Sequence, residues 1–302
     1  TDMRVNPNLV PDILAGLQQS QTTLNQALEQ ISTGKSVNVP SDNPAAASEM
    51  VQNTIETANV DQYTQNVTAV LSKVQASDSA LSSVVSSLTQ AISLGTEGAN
   101  STNSAANQQA IASQVQGILS SVVSLANTSY QGAYLFGGTA NSQPPYTADS
   151  SSPTGYTYNG NSDQNSVAIG DSTNVQVNLP GSQIFSNSTT NVLGSLSALV
   201  TALQSGNSSA ISTATTGVTT ALNYVGQQRV FYANAESQLN SQETYLQQET
   251  VNLSSQQTSL IGVDMAQAAT TLSQAETDNS AALAAAAKVL PTTLLNYLAT
   301  PS

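Results

Sequence analysis

The sequence predicts a mainly α-helical chain: long helices nested antiparallel in a coiled-coil rod, with a small β-rich insert at the tip. Three observations lead there. Ile211, Val218, Val225, Tyr232, Leu239, Leu246, Leu253 and Leu260 follow one another at intervals of seven, with no proline among them. Apolar residues at helical spacing also occupy both ends of the chain. Between Tyr134 and Phe185, short alternating runs rich in Tyr, Val, Pro and Gly replace the helical period.

A period of seven keeps one side chain on the same side of a helix every two turns. Over residues 211–260 such a helix is roughly 75 Å long at about 1.5 Å per residue. A helix of that length needs partners laid alongside it. Four residues before Leu246, Leu253 and Leu260 stand Gln242, Glu249 and Gln256, where a dimeric zipper wants a second apolar position. The ladder therefore suits shallow packing against several helices, with wet surface left over, rather than a self-sufficient zipper.

Taken in order, Val10, Leu17, Leu24 and Ile31 form a seven-residue rail, with Leu14 and Leu28 on the adjacent one. This predicts an amphipathic helix of about 20 residues, entered near Pro11. Gly34 suits a left-handed residue after its end, and Lys35 complements the negative pole of the helix dipole. Asp42 or Asn43 can cap the next helix, with Pro44 at its first position, where a missing N–H costs nothing. Val60, Val67, Val74, Leu81 and Leu88 give that helix one rail. Tyr63, Val70, Val84 and Ala91 give a second, interrupted by Ser77. Ile111, Val115, Ile118, Val122 and Leu125 predict a third helix ending before Gly132. In the insert, Asn159-Gly160 between the run Tyr156-Thr157-Tyr158 and the run Val167-Ala168-Ile169 is a hairpin signal. Helix returns at Val192, Leu196, Leu199, Val200 and Leu203. After the ladder, Met265, Leu272, Leu283, Leu290, Leu294 and Leu298 mark a last amphipathic helix, whose end Pro291 should bend or terminate.

Composition excludes several roles. Five basic residues against 18 acidic ones supply no basic stripe to neutralise phosphates, which argues against nucleic acid. No apolar run reaches the length of a membrane span, and the start carries no cleavable secretory pattern. With no Cys and no His, thiol chemistry, the commonest general base and the commonest zinc ligand are missing. We therefore expect no enzyme, no catalytic residue, no metal and no cofactor. Asn159-Gly160-Asn161-Ser162-Asp163 has a faint calcium-loop look but lacks the closing Glu, so a plain turn is the better expectation. Asp149, Asp163 and Asp171 could pair for glycan cleavage only if the fold brought two of them together.

The residues also resemble a known family over essentially the whole length of the chain. Ile31-Ser32-Thr33-Gly34-Lys35 followed by Asn38 and Ser41-Asp42-Asn43-Pro44-Ala45 is similar to the N-terminal signature of the bacterial flagellin superfamily. Val263-Asp264-Met265-Ala266 and Leu290-Pro291-Thr292-Thr293-Leu294-Leu295-Asn296-Tyr297-Leu298 resemble its C-terminal signature; Gly34, Asp42, Pro44 and Asp264 stand at signature positions. The centre, Gln131-Gly132-Ala133-Tyr134-Leu135-Phe136-Gly137-Gly138-Thr139, looks like the branch that forms the hook–filament junction. The resemblance implies a structural, extracellular subunit of the flagellar axial assembly, joining hook to filament. It implies self-association, neighbours on the hook and filament sides, an export chaperone, and export without a cleavable signal. A filament-forming flagellin is the second expectation, and a secreted glycan-binding or glycan-cleaving β-domain on a helical stalk a distant third. Residues 1–40 and 262–302 would form the inner tube, 41–133 with 190–261 the helical layer around it, and 134–189 the outward insert. Assembly would then fall to the terminal stripes: Val10, Leu14, Leu17, Leu24, Leu28 and Ile31 with Met265, Leu272, Leu283, Leu290, Leu294 and Leu298.

Overall fold

The computed structural model describes residues 9–298 of the chain, with side chains described from residue 11 to residue 288. Seven helices and six short strands follow in the order α1 (Leu9–Thr33), α2 (Pro44–Gly98), α3 (Ala105–Ala126), β1 (Ser129–Tyr130), β2 (Ala133–Tyr134), β3 (Tyr146–Ala148), β4 (Tyr156–Tyr158), β5 (Ser166–Gly170), β6 (Thr173–Gln176), α4 (Gly181–Ile184), α5 (Val192–Ser205), α6 (Ser208–Ile261) and α7 (Met265–Leu298). The described residues group into two compact units: one drawn from Thr1–Asn59 and Glu249–Ser302, the other spanning Val60–Gln248. The division falls inside α2 and α6 because both helices run through it.

The helix boundaries have local causes. α1 begins at Leu9, so Pro11 sits in its first turn, where no backbone N–H needs a partner inside the helix. Asn43, not Asp42, caps α2: its side-chain oxygen accepts from the Ala46 N–H at 3.2 Å. Ser104 caps α3 through the Asn107 N–H, and Asn191 caps α5 through the Gly194 N–H. Gly206, at φ +68°, ends α5 in the left-handed conformation that glycine adopts without steric cost. α7 does not terminate at Pro291 but runs on to Leu298. Proline removes only one backbone donor, and the flanking turns keep theirs.

In the Val60–Gln248 unit, α3 packs against α5 through Ile111, Val115, Leu119 and Val122 on one side and Leu196, Leu199 and Leu203 on the other, all buried. The strands form three separate antiparallel pairs, β1–β2, β3–β4 and β5–β6. Here the expected hairpin is corrected. The tyrosine run of β4 pairs backwards with β3, Tyr146 opposite Tyr158, while the valine run of β5 pairs forwards with β6. Asn159-Gly160 is no hairpin turn. Gly160 is required for closeness instead, since a Cβ there would lie 2.4 Å from the Tyr158 hydroxyl oxygen. Tyr146 stacks on Tyr158 at 5.1 Å and meets Phe185 edge-on at 5.9 Å, and Phe136 meets Phe185 edge-on at 5.4 Å. Such edge-on and tilted contacts suit the ring quadrupoles. This aromatic cluster gives the small strands a core that two-stranded pairs cannot build alone.

The seven-residue ladder of α6 is buried at Ile211, Val218, Val225, Tyr232, Leu239, Leu246 and Leu253, whereas Leu260 is half-buried. Its polar flank takes mixed roles. Gln242 is half-buried and donates to the Ile169 carbonyl at 2.9 Å, Glu249 is half-buried, and Gln256 is exposed while its side-chain oxygen accepts from Asn53 at 3.1 Å. None of the three is sealed against a single apolar partner.

Candidate functional site

Within the unit drawn from the two ends of the chain, α1 and α7 run antiparallel against each other. Alanines close the contact. Ala27, Ala268, Ala275 and Ala286 are 2%, 4%, 3% and 7% exposed. The bulkier apolar residues lie off that seam: Leu14 and Leu28 are 47% exposed, Met265 51% and Leu283 49%. Leu17, Leu24, Ile31 and Leu272 are half-buried. Val10, Leu290, Leu294 and Leu298 belong to the same helices, but their side chains lie outside the described residues. Small side chains let two helices approach closely, and a two-helix contact covers only one flank of any large residue beside it. The result is a row of half-covered leucine and methionine side chains. Between α1 and α7, a cleft of about 410 Å³ is lined by Ile13, Gly16, Ser20, Ala275 and Ala282 among others. Ser20 Oγ and Asn279 Oδ1 are buried there or nearby on the same helices without a hydrogen-bond partner.

The loops that lead into the pair are tied to each other by backbone. Ser36 gives its N–H to the Ile261 carbonyl at 2.7 Å, and the Val263 N–H donates to the Gly34 carbonyl at 3.2 Å, so that Lys35 and Gly262 form an antiparallel bridge. Each signature residue has a job in this clasp or beside it. Gly34 adopts φ +68°, which turns the chain out of α1. Asp42 accepts the N–H groups of Val39 and Asn38, at 3.0 and 2.9 Å, and those two bonds hold its carboxyl below the usual value. Pro44 opens α2. Asp264 caps α7 by accepting from the Ala266 and Gln267 N–H groups.

Where α2 and α6 enter this same unit, Asn53 is 3% exposed and donates to the Leu253 carbonyl and to Gln256. The outward faces of these helices carry Val51, Ile55 and Val251, all more than half exposed. On a helix each lies about 160° from the buried position two residues away, Asn53 or Leu253, at about 100° per residue.

The three carboxylates considered for glycan cleavage each have other partners. Asp149 is bonded to Ser151 and Thr157, Asp163 to Asn161 and Thr139, and Asp171 to Tyr63. In the Asn159–Asp163 stretch, the Asn161 side-chain oxygen accepts the Thr139 N–H at 2.8 Å. Among the described residues no group of three acidic side chains is placed to hold a metal ion, and no helix is long and apolar enough to cross a membrane.

Sequence reasoning identified the leucine stripes but missed the alanine seam. Its only signal was the seven-residue spacing of Ala268 and Ala275. The backbone clasp left no signal, because main-chain groups are the same in every residue.

Two family descriptions match the sequence: the bacterial flagellin N-terminal helical region over residues 10–141, and the bacterial flagellin C-terminal helical region over residues 215–298. A comparison with curated proteins gave no match. Solved structures share the fold. FlgL of Bacillus cereus aligns with TM-score 0.60 and 24% identity, covering 68% of this chain and 99% of that one. The flagellar hook-associated protein-3 of Legionella pneumophila aligns with TM-score 0.63 and 14% identity, covering 69% and 98%. A second Legionella pneumophila structure, of the flagellar junction protein FlgL, aligns with TM-score 0.60 and 14% identity, covering 71% and 100%.

Proposed function

The chain belongs to the bacterial flagellin family, and from that premise we propose that it is a structural, non-catalytic subunit of the flagellar axial assembly that joins hook to filament. One observation carries this reading: the α1–α7 pair closes on alanines and leaves Leu14, Leu28, Met265 and Leu283 about half exposed. A row of half-covered apolar side chains is what further helices would bury. The cleft at Gly16 and Ser20, with two polar atoms lacking partners close by, fits the same need. The terminal helices are thus the packing element, and the partners are further copies of the chain and the axial proteins on the hook and filament sides. An export chaperone would hold these helices before assembly, and the working site is outside the cell.

The choice of junction over filament is supported by the likeness in fold to junction proteins and by the Gly132–Thr139 stretch at the centre of the chain. A filament subunit is the second reading, favoured by the flagellin helical regions matched at both ends. Electron microscopy of the purified protein, alone and mixed with isolated hooks, separates the two. Short caps confined to hook ends are expected. Long tubes of the protein alone would replace the junction reading with the filament one, and protein that stays monomeric beside bare hooks would remove both.

A further inference from the structure

Within the Val60–Gln248 unit, α2 and α6 meet along stripes that hardly vary. The buried positions include Val60, Val67, Val74, Leu81 and Leu88 on α2, with Val70, Val84 and Ala91 on its second rail, and Ile211, Val218, Val225, Leu239 and Leu246 on α6. Branched aliphatic residues at a constant interval bury nearly the same surface in one alignment as in another displaced by seven residues. These stripes hold the helices together without choosing how they line up.

One short stretch breaks the monotony. On α2 it holds Gln75, Ser77 and Asp78, and on α6 Arg229, Tyr232 and Glu236. Arg229 grips Asp78 with two parallel bonds, Nε to Oδ1 and Nη2 to Oδ2, both 2.8 Å. The two residues form an ion pair between the helices. Gln75 donates to Glu236 at 3.0 Å. Ser77, the small polar residue that interrupts the second rail, is 1% exposed, donates its hydroxyl to the Lys73 carbonyl at 2.9 Å and lies beside the fully buried Tyr232. The Tyr232 hydroxyl also accepts the backbone N–H of Leu179 at 3.2 Å, just past the last strand of the insert.

A displacement by one heptad would cost every one of these contacts. Asp78 would face Leu222 or Glu236, and Arg229 would face Leu71 or Val85. The Tyr232 ring would press on Val70 or Val84 where Ser77 had left room, and Leu179 would lose its acceptor. We propose that Ser77 and Asp78 with Arg229 and Tyr232 form a register lock. They admit one alignment of α2 on α6, the alignment that also seats the insert through Leu179.

The chain suits a direct test because it has no cysteine. Spin labels at Thr68→Cys and Thr220→Cys, both exposed, report the alignment as a distance. With the lock intact a single distance is expected. The variant S77V/D78A/R229A/Y232L should add a second population shifted by about 10 Å, seven residues at about 1.5 Å each. Amide exchange at Leu179 should rise about tenfold or more as its bond opens. D78R alone should show a smaller share of the shifted population, and D78R/R229D should return the single distance. The lock is overturned if D78R and the four-site variant keep one distance and the wild-type exchange. It is equally overturned if the four-site variant loses its helical circular dichroism while D78R keeps the native distance. A shifted distance with unchanged exchange at Leu179 would overturn the coupling to the insert.

Discussion

Ser36 donates twice to one oxygen: its backbone N–H at 2.7 Å and its hydroxyl at 3.1 Å both meet the carbonyl of Ile261. That carbonyl ends α6, where the last four C=O groups of a helix have no partner inside it. The chain thus satisfies a helix end with a loop 225 residues away in sequence. Ser36→Ala keeps the backbone bond and loses the hydroxyl one, so urea denaturation should show a loss of about 0.5–1.5 kcal/mol.

Gly34 tests the other side of the same clasp. Its φ is +68°, and a Cβ there would meet no atom within 4 Å. Gly34→Ala therefore costs backbone strain alone, about 1–2 kcal/mol. Amide exchange at Val263, whose N–H donates to Gly34, should rise in step with the lost stability.

Tyr232→Phe keeps the buried ring and removes the acceptor of the Leu179 N–H. A buried donor without a partner costs about 1–3 kcal/mol. The urea midpoint should fall accordingly while helical circular dichroism stays unchanged. No fall in the midpoint would mean that Leu179 finds another acceptor.

Asp149 sets a pH dependence for the β3–β4 pair. Its carboxyl is lowered from 3.8 to about 2, first by the Ser151 hydroxyl, then by the Thr157 hydroxyl and the Ser151 N–H. A carboxyl depressed in the folded state stabilises it fully above the unfolded value and loses that contribution as pH falls through the folded one. Local stability should therefore be steady above about pH 4 and decline toward pH 2. Carboxyl chemical shifts should titrate near pH 2 in the native chain, and in Asp149→Asn the pair should lose this step.

Assembly is expected to respond to charge on the half-covered row while folding does not. Leu28→Glu with Leu283→Glu places two carboxylates at sites 47% and 49% exposed. Surface substitutions of this kind change stability by about 0.5 kcal/mol or less. The double variant should melt like the parent yet fail to cap isolated hooks in electron micrographs. Normal caps would remove these residues from the packing surface.

Much of the fold was written locally. The seven-residue ladder, a cap at Asp42 or Asn43, the left-handed Gly34 and the change of composition after Gly132 all follow from geometry that repeats within a few residues. Helical period, capping and glycine conformation are local properties, and a sequence displays them directly. What only the tertiary structure decided are the pairings. The tyrosine strand turned back to β3 instead of forward across Asn159-Gly160, because Tyr158 packs on Tyr146 and needs Gly160 bare beneath its hydroxyl. Ser77 looked like a flaw in a rail until Tyr232 was seen across from it. Alanine, not leucine, closes α1 on α7, because the close approach of two helices is set by the smallest side chains between them. Most of these contacts join residues a dozen to more than two hundred positions apart. No local pattern encodes them; they arise when the folded backbone brings the two segments together.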